Sequence, residues 1–415
     1  MNQKLFTRDF TMVVLGQIVS LFGNAALRFA LPLYLLNLTG SAALYGTVTA
    51  CAFIPAVLLS PVGGIIADRV NKRNIMVTLD FLTSALVLGF ILLMDAVDLT
   101  ALLTVTLMLL YGIAGAYQPS VQASIPALAA PDNFMAANSV INTVSSFSSL
   151  TGPVLGGILY SAYGLRPVLW LCACCFALSA VMEIFIRIPF QRLPGSGGVL
   201  ETVRADFAGS LRFILREKPF IGRVVLVVCA INLFLSAMLI VALPYLITEV
   251  LSLDTALANR LYAFSEGAFA AGGLTGGVCA GLLGSRLRPE RAHHLLMASV
   301  LCVFPMAAVL PLCPGLVSYA VITVCCFVIM VFSTVFSVQM MSVLQSETPQ
   351  ELIGKVISVI LTISMCAQPL GNALYGTLFE LCAGAEWAVV LFSAIASLLI
   401  AVTTGKLFRQ PVPER

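Results

Sequence analysis

Twelve predominantly apolar runs, each about twenty residues or longer, take up most of the chain, at roughly 10–36, 41–67, 74–94, 99–128, 138–162, 166–188, 221–249, 259–284, 294–313, 315–344, 354–379 and 387–405. About 20 such residues are needed to cross a bilayer as a helix. Hydrocarbon offers no partner for a free backbone N–H or C=O, so each run has to satisfy its own backbone by coiling. Strands of an outer-membrane barrel alternate in polarity over about ten residues, so uninterrupted apolar runs exclude that architecture. Composition agrees: 60% of the 415 residues are hydrophobic and 10% are charged, against about 25% charged in soluble domains. A soluble enzyme and a disordered chain are both excluded. The net charge of +3 gives no footprint for nucleic acid. An all-α polytopic membrane protein of twelve transmembrane helices is expected, with the lipid bilayer as its first partner.

Basic residues orient it. With the N-terminus inside, all but Arg28, Arg166 and Arg260 of the 22 Lys and Arg fall in cytoplasmic segments. That bias predicts both termini in the cytoplasm and residence in a cell (cytoplasmic or inner) membrane. The first apolar run is too long and too interrupted, by Gln17, Asn24 and Arg28, for a cleaved signal peptide. The twelve cysteines lie almost entirely within apolar runs and read as small packing residues. The cluster Cys172, Cys174 and Cys175 has no His or carboxylate beside it, so neither a metal nor another cofactor is expected. The two histidines, His293 and His294, are placed in a cytoplasmic loop.

The sequence repeats. Gly64-Ile-Ile-Ala-Asp68-Arg69 leaves the second run and Gly281-Leu-Leu-Gly-Ser285-Arg286 leaves the eighth. Pro131 and Pro349 precede the fifth and eleventh runs. Ala30-Leu31-Pro32 and Ala242-Leu243-Pro244 sit in the first and seventh. Their shared order predicts two pseudo-symmetric six-helix halves, 1–188 and 221–415, joined by a cytoplasmic linker at 189–220. Two such repeats are the layout of a transporter whose halves rock about a site. Within the linker, Val203, Phe207, Leu211, Ile214 and Leu215 recur at helical spacing while Arg204, Arg212 and Arg216 lie off that stripe. This predicts a basic amphipathic helix on the inner membrane surface.

Gly64-x-x-x-Asp68-Arg69-x-x-Lys72-Arg73 resembles the signature loop of the major facilitator superfamily, and Gly152-Pro153-x-x-Gly156-Gly157 in the fifth run resembles the antiporter motif of its drug exporters. The stretch Gln118-Pro119-Ser120-Val121-Gln122-Ala123-Ser124-Ile125-Pro126, with Ala137-Asn138-Ser139, is similar to the branch holding macrolide-efflux and enterobactin-exporter proteins. Ser285 stands in the second-half loop where Asp68 stands in the first. The resemblance implies the major facilitator fold and export, with multidrug or macrolide resistance as the expected phenotype.

The motifs have a physical reading of their own. A carboxylate at Asp68, followed by Arg69 and Arg73, can bond a helix N-terminus or an Arg fork when two inner helix ends meet; with Gly64 and Arg286 it forms a candidate gating loop. Gly152, Gly156 and Gly157 permit close helix approach, and Pro153 a bend. Gln17, Ser20, Asn24 and Arg28 share one face of the first helix. Tyr111, Gly115, Gln118 and Gln122 share one face of the fourth. Asn232 and Ser236 in the seventh helix, and Ser333 and Ser337 in the tenth, repeat the pattern. By resemblance, these four helices line a substrate cavity. Of the carboxylates within runs, Glu266 is the first candidate for exchanging protons with a gradient and Asp80 the second. Glu183, four residues before Arg187, reads as a helix-surface ion pair. Arg28 and Glu266 fall at matching depth in opposite halves, which suggests that they pair.

These features predict a monomeric secondary transporter, not an enzyme, that exports amphipathic drug-like, macrolide-like or siderophore-like small molecules in exchange for protons. Uptake of a small nutrient on the same scaffold is the alternative. An integral membrane enzyme, which would need clustered His, Asp, Glu or Lys, fits less well. No Gly-x-x-x-x-Gly-Lys-Ser/Thr loop for ATP is present.

Overall fold

The computed structural model describes residues 6–128, 133–188, 207–283, 292–349 and 352–408. Every regular element among them is helical: α1 (Arg8–Thr39), α2 (Ala42–Arg69), α3 (Lys72–Leu93), α4 (Leu99–Leu128), α5 (Phe134–Tyr163), α6 (Leu165–Ile184), α7 (Pro219–Val250), α8 (Thr255–Leu283), α9 (Ala292–Leu312), α10 (Gly315–Glu347), α11 (Ile353–Leu381) and α12 (Glu386–Phe408). Ten of these contain described stretches long and apolar enough to cross a membrane. Large apolar side chains also point outward: Leu92, Leu282, Leu312 and Leu381 are each 77% exposed. A water-soluble bundle would hide them; a bilayer covers them at no cost.

Local chemistry sets the helix ends. Asn71 caps α3, its side-chain oxygen accepting from the Arg73 backbone N–H at 3.0 Å. Gly164 joins α5 to α6 at φ +78°, a left-handed conformation that favours glycine. Two π turns interrupt α7, at Asn232–Ser236 and Leu246–Val250. A π turn breaks the regular ladder. At the first of them the Phe234 carbonyl is taken by Tyr375 Oη (2.9 Å) and Ser393 Oγ (2.6 Å).

The chain divides into two compact units. One comprises Met1–Leu38 with Cys51–Val203; the other comprises Thr39–Ala50 with Arg204–Arg415. The first half of α2 therefore clusters with the C-terminal residues, not with the rest of its own helix. The N-terminal unit has a core of Phe10, Val13, Met76, Tyr117, Val121, Ile125 and Ile141. The C-terminal unit centres on Ile221, Val224, Leu296, Phe336, Met340, Val356 and Ile360.

The repeat reappears as packing. A Cβ on Gly152 of α5 would lie 2.4 Å from Ala25 Cβ of α1, and a Cβ on Gly371 of α11 would lie 2.4 Å from Ala237 Cβ of α7. Each unit thus brings its own pair of helices together through a glycine against an alanine. Gly156 continues the first contact against Ala26, and Pro153 and Gly157 are buried beside it.

Two expectations change. The linker stripe is in a different register: Phe213 and Ile214 are buried against the C-terminal core, while Leu215 is exposed. The cause is the π turn at Phe213–Glu217, closed by Lys218 N–H on the Phe213 carbonyl at 2.9 Å, which rotates the face away from 3.6-residue spacing. Arg212 and Arg216 stay exposed, and Val203 and Arg204 lie outside the described residues. The histidines belong to the first turn of α9, not to a loop. His293 is buried, and Gly405 of α12 leaves the space that its ring occupies.

Candidate functional site

Two polar constellations stand out, one in each unit. In the N-terminal unit the face of α1 divides. Arg28 and Asn24 are half-buried. The Arg28 guanidinium lies over the Tyr111 ring of α4, 3.7 Å from its centroid, and Phe53 of α2 meets the same ring edge-on at 5.2 Å. A guanidinium on an aromatic face gains about 0.5–2 kcal/mol, depending on its exposure. Gln118 is half-buried and Gln122 is exposed on the same helix.

One turn and more below, Gln17 and Ser20 point into the bundle instead. Gln17 Nε2 donates to Tyr117 Oη at 2.6 Å, and Tyr117 Oη donates to Glu183 Oε1 at 2.9 Å. Ser20 Oγ donates to Asp80 Oδ1 at 2.9 Å. Gln17 and Glu183 are fully buried. Glu183 is therefore not a surface ion pair: α6 ends at Ile184, so Arg187 is no longer on the helix, and its backbone N–H bonds Asp9. Asp80 is buried as well, at 3% exposure. Gly16 makes the arrangement possible. A Cβ there would lie 3.3 Å from Ser179 Oγ and 3.5 Å from Glu183 Cγ, and Ser179 Oγ donates to the Gly16 carbonyl at 3.0 Å. The absence of a side chain brings α6 onto α1 and carries Glu183 inside.

The C-terminal unit holds Glu266 on α8. It shares a side-chain hydrogen bond with Tyr262, which bonds Tyr45 in turn. Arg28 thus lies on Tyr111 in one unit, with its Nε buried and unpartnered, and Glu266 bonds Tyr262 in the other. Asn232 Nδ2 donates to the Ser364 carbonyl at 2.9 Å and Ser236 Oγ to Asn232 Oδ1 at 3.4 Å. Ser333 Oγ approaches Ser299 Oγ at 3.5 Å, and Ser337 is exposed. Gln368 Nε2 donates to Asn372 Oδ1 at 3.0 Å, and Asn372 Nδ2 faces Thr49 Oγ1 at 3.5 Å. Arg73 reaches the Ile184 carbonyl. The side chains of Gly64, Asp68 and Arg69, and Arg286 altogether, lie outside the described residues.

Reasoning from sequence missed Tyr117, Glu183 and Ser179 in one unit and Gln368, Asn372 and Tyr375 in the other. A signal existed for the second group: Gln368 and Asn372 are an i, i+4 polar pair inside an apolar helix. Among the described residues no group of three or more His, Cys, Asp or Glu could hold a metal ion.

Comparison with known proteins gives this arrangement its context. The chain is 23% identical over 372 residues to Macrolide efflux protein A of Streptococcus pyogenes, covering 88% of each chain. It is 25% identical over 387 residues to the Multidrug efflux pump Tap of Mycolicibacterium fortuitum, covering 92% of this chain and 91% of that one. Over 296 residues it is 31% identical to Multidrug resistance protein MdtG of a Rahnella strain, covering 67% and 66%. Among solved structures, the nucleoside transporter NupG superposes with a TM-score of 0.76 at 11% identity, over 98% of this chain and all of that one. A bacterial homologue of the human lysosomal transporter Spinster gives 0.71 at 14%, over 96% and 95%. The profile of the Major Facilitator Superfamily matches residues 13–372. Twelve helices, glycine-mediated packing repeated in two units, polar groups in apolar helices and that match together make this chain a multi-pass membrane transporter of the major facilitator superfamily.

Proposed function

We propose that the protein exports amphipathic organic compounds of macrolide or multidrug type by alternating access, driven by proton exchange. The observation that carries this reading is the near full-length similarity to a macrolide efflux protein and a multidrug pump. The site chemistry suits it. Arg28 on Tyr111 beside Phe53 offers a cation and aromatic faces, and with Asn24 and Gln118 it supplies few fixed polar contacts. Such a surface accommodates substrates of varied shape. Asn232, Ser236, Ser333 and Ser337 supply the corresponding polar contacts from the C-terminal unit. Asp68, Arg69, Arg73 and Arg286 serve as the gating loop, and Gly152, Pro153, Gly156 and Gly157 as the antiporter motif. The protein works as a monomer in the cytoplasmic membrane, with both termini in the cytoplasm.

Expression in an efflux-deficient host is expected to raise resistance to macrolides or other amphipathic drugs several-fold and to lower their accumulation. A protonophore should abolish the difference. Increased accumulation would instead establish uptake. Glu266 is the carboxylate of the C-terminal unit with a role in coupling; Glu266→Gln is expected to leave facilitated exchange intact while removing accumulation against a gradient. Gradient-driven transport at the normal rate in that variant would remove Glu266 from the coupling path.

A further inference from the structure

We propose that Asp80 and Glu183, bridged by Tyr117, form a buried proton site inside the N-terminal unit, in which the pair holds one exchangeable proton. The site lies apart from the Arg28–Tyr111 face. Its assignment as the coupling site rests on the proton-driven reading above; its existence does not.

The argument is a donor inventory. Four helices meet here: α1 contributes Gln17 and Ser20, α3 Asp80, α4 Tyr117, and α6 Ser179 and Glu183. Asp80 is 3% exposed and Glu183 0%. Gln17 gives an amide proton to Tyr117, Tyr117 gives its only proton to Glu183, and Ser20 gives its own to Asp80. Ser179 also lies beside Asp80, but it spends its proton on the Gly16 carbonyl. Thr83 and Ser84 of α3 spend theirs on the Leu79 and Ala173 carbonyls. Three buried acceptors remain without a partner: Gln17 Oε1, Asp80 Oδ2 and Glu183 Oε2. Buried polar atoms in folded proteins are nearly always paired. Three orphaned oxygens in one cluster therefore mean a missing donor.

The Arg166–Asp95 and Lys218–Glu347 ion pairs involve neither carboxyl. Arg73, at the start of α3, is engaged by the Ile184 carbonyl, and its Nε is buried without a partner. Two bare carboxylates that feel each other electrostatically while buried repel, and each is poorly solvated. One proton resolves both problems. It lowers the pair from two negative charges to one and turns a carboxyl oxygen into a donor. Tyr117 also faces Asp80, but with its proton committed to Glu183 it offers Asp80 only a lone pair. A protonated Asp80 provides the hydrogen that this contact lacks. Three orphaned oxygens are too few for a hard metal cation such as calcium, which takes six to eight oxygen ligands.

The step is a simple binding: one proton from water joins one carboxylate to give a carboxylic acid, and its release to water restores the doubly charged pair. Because Tyr117 hydrogen-bonds α1 to α6, gain or loss of that proton changes the contacts of four helices at once.

The test is infrared spectroscopy of the purified full-length protein in lipid vesicles, titrated in pH. The wild type is expected to show a protonated-carboxyl C=O band that disappears as pH rises. The band should weaken in Asp80→Asn and in Glu183→Gln, vanish in the double variant and persist in Glu266→Gln. Tyr117→Phe should shift its frequency and midpoint. These replacements keep side-chain volume, and size-exclusion profiles confirm folding. A band unchanged in the double variant, the lack of any titrating band in the wild type, or a response to sodium at constant pH would each overturn the site. Loss of the band together with proton-driven efflux in the double variant supports the coupling assignment. Loss of the band with proton-driven efflux intact overturns that assignment alone. If the band behaves as expected but wild-type transport survives collapse of the proton gradient, the proton-driven reading fails while the site stands.

Discussion

Gly46→Val is expected to lower drug efflux by about fivefold or more while leaving the protein inserted at normal abundance. A Cβ at Gly46 of α2 would lie 2.4 Å from the Asn372 carbonyl oxygen and 2.8 Å from Gly376 Cα on α11, and a Cβ at Gly376 would lie 2.7 Å from the Ala42 carbonyl. Those are backbone atoms, which cannot swing aside as a side-chain end can. The segment Thr39–Ala50 must therefore move off α11. It would give up the Thr49–Asn372 contact and the bonds from Ser41 Oγ (3.0 Å) and Ala43 N–H (3.3 Å) to Glu380. Overpacking costs about 1–3 kcal/mol, which lowers the population of the packed state by about 5- to 150-fold. A transporter that passes through this state on every cycle slows in proportion. Efflux rates in whole cells, normalised to membrane abundance, measure the effect. Gly89→Ala is the control, since a Cβ there meets nothing within 4 Å. Wild-type efflux by the Gly46 variant would show that the cycle does not use this packing.

Tyr117→Phe is expected to destabilise the N-terminal unit by about 2–4 kcal/mol, because a single hydroxyl serves two buried partners and each orphan costs about 1–3 kcal/mol. Gln17 Nε2 loses its acceptor and Glu183 Oε1 its donor, and both residues are buried. The apparent Tm of the detergent-solubilised protein should fall by several degrees. Glu183→Leu removes one of the orphans, so the double variant should be less destabilised than the sum of the two single changes. A Tyr117→Phe protein with unchanged Tm, or strictly additive losses, would mean that the network does not hold this unit together.

Much of the fold was legible along the chain because its causes are local. An apolar run in hydrocarbon has to coil on itself, so the helices follow from composition. The glycines of the fifth helix announce close packing, since no other residue lets backbones approach so nearly. The polar faces of α1 and α4 were visible as spacing, but spacing does not say which members of a face turn inward. Arg28 found Tyr111, whereas Gln17 and Ser20, on the same stripe, turned into the bundle.

The remainder was decided by contacts far apart in sequence. Glu183 looks like one half of an i, i+4 pair with Arg187 until the helix is seen to stop at Ile184. Its real partner, Tyr117, is 66 residues away, and the partner of Tyr117, Gln17, is a further 100 away. No periodicity links them. They meet because Gly16 lets α6 press against α1. The linker stripe slipped because a π turn, which hydrophobic spacing does not foretell, rotated Phe213 inward and Leu215 outward. The first turns of α2 went to the C-terminal unit because Gly46 and Gly376 let two backbones touch. The sequence by itself determined that this chain crosses a membrane as two repeated helical halves, since hydrocarbon dictates that from each segment alone. Only the tertiary structure decided which buried carboxyls meet, since that depends on how closely helices from distant parts of the chain approach.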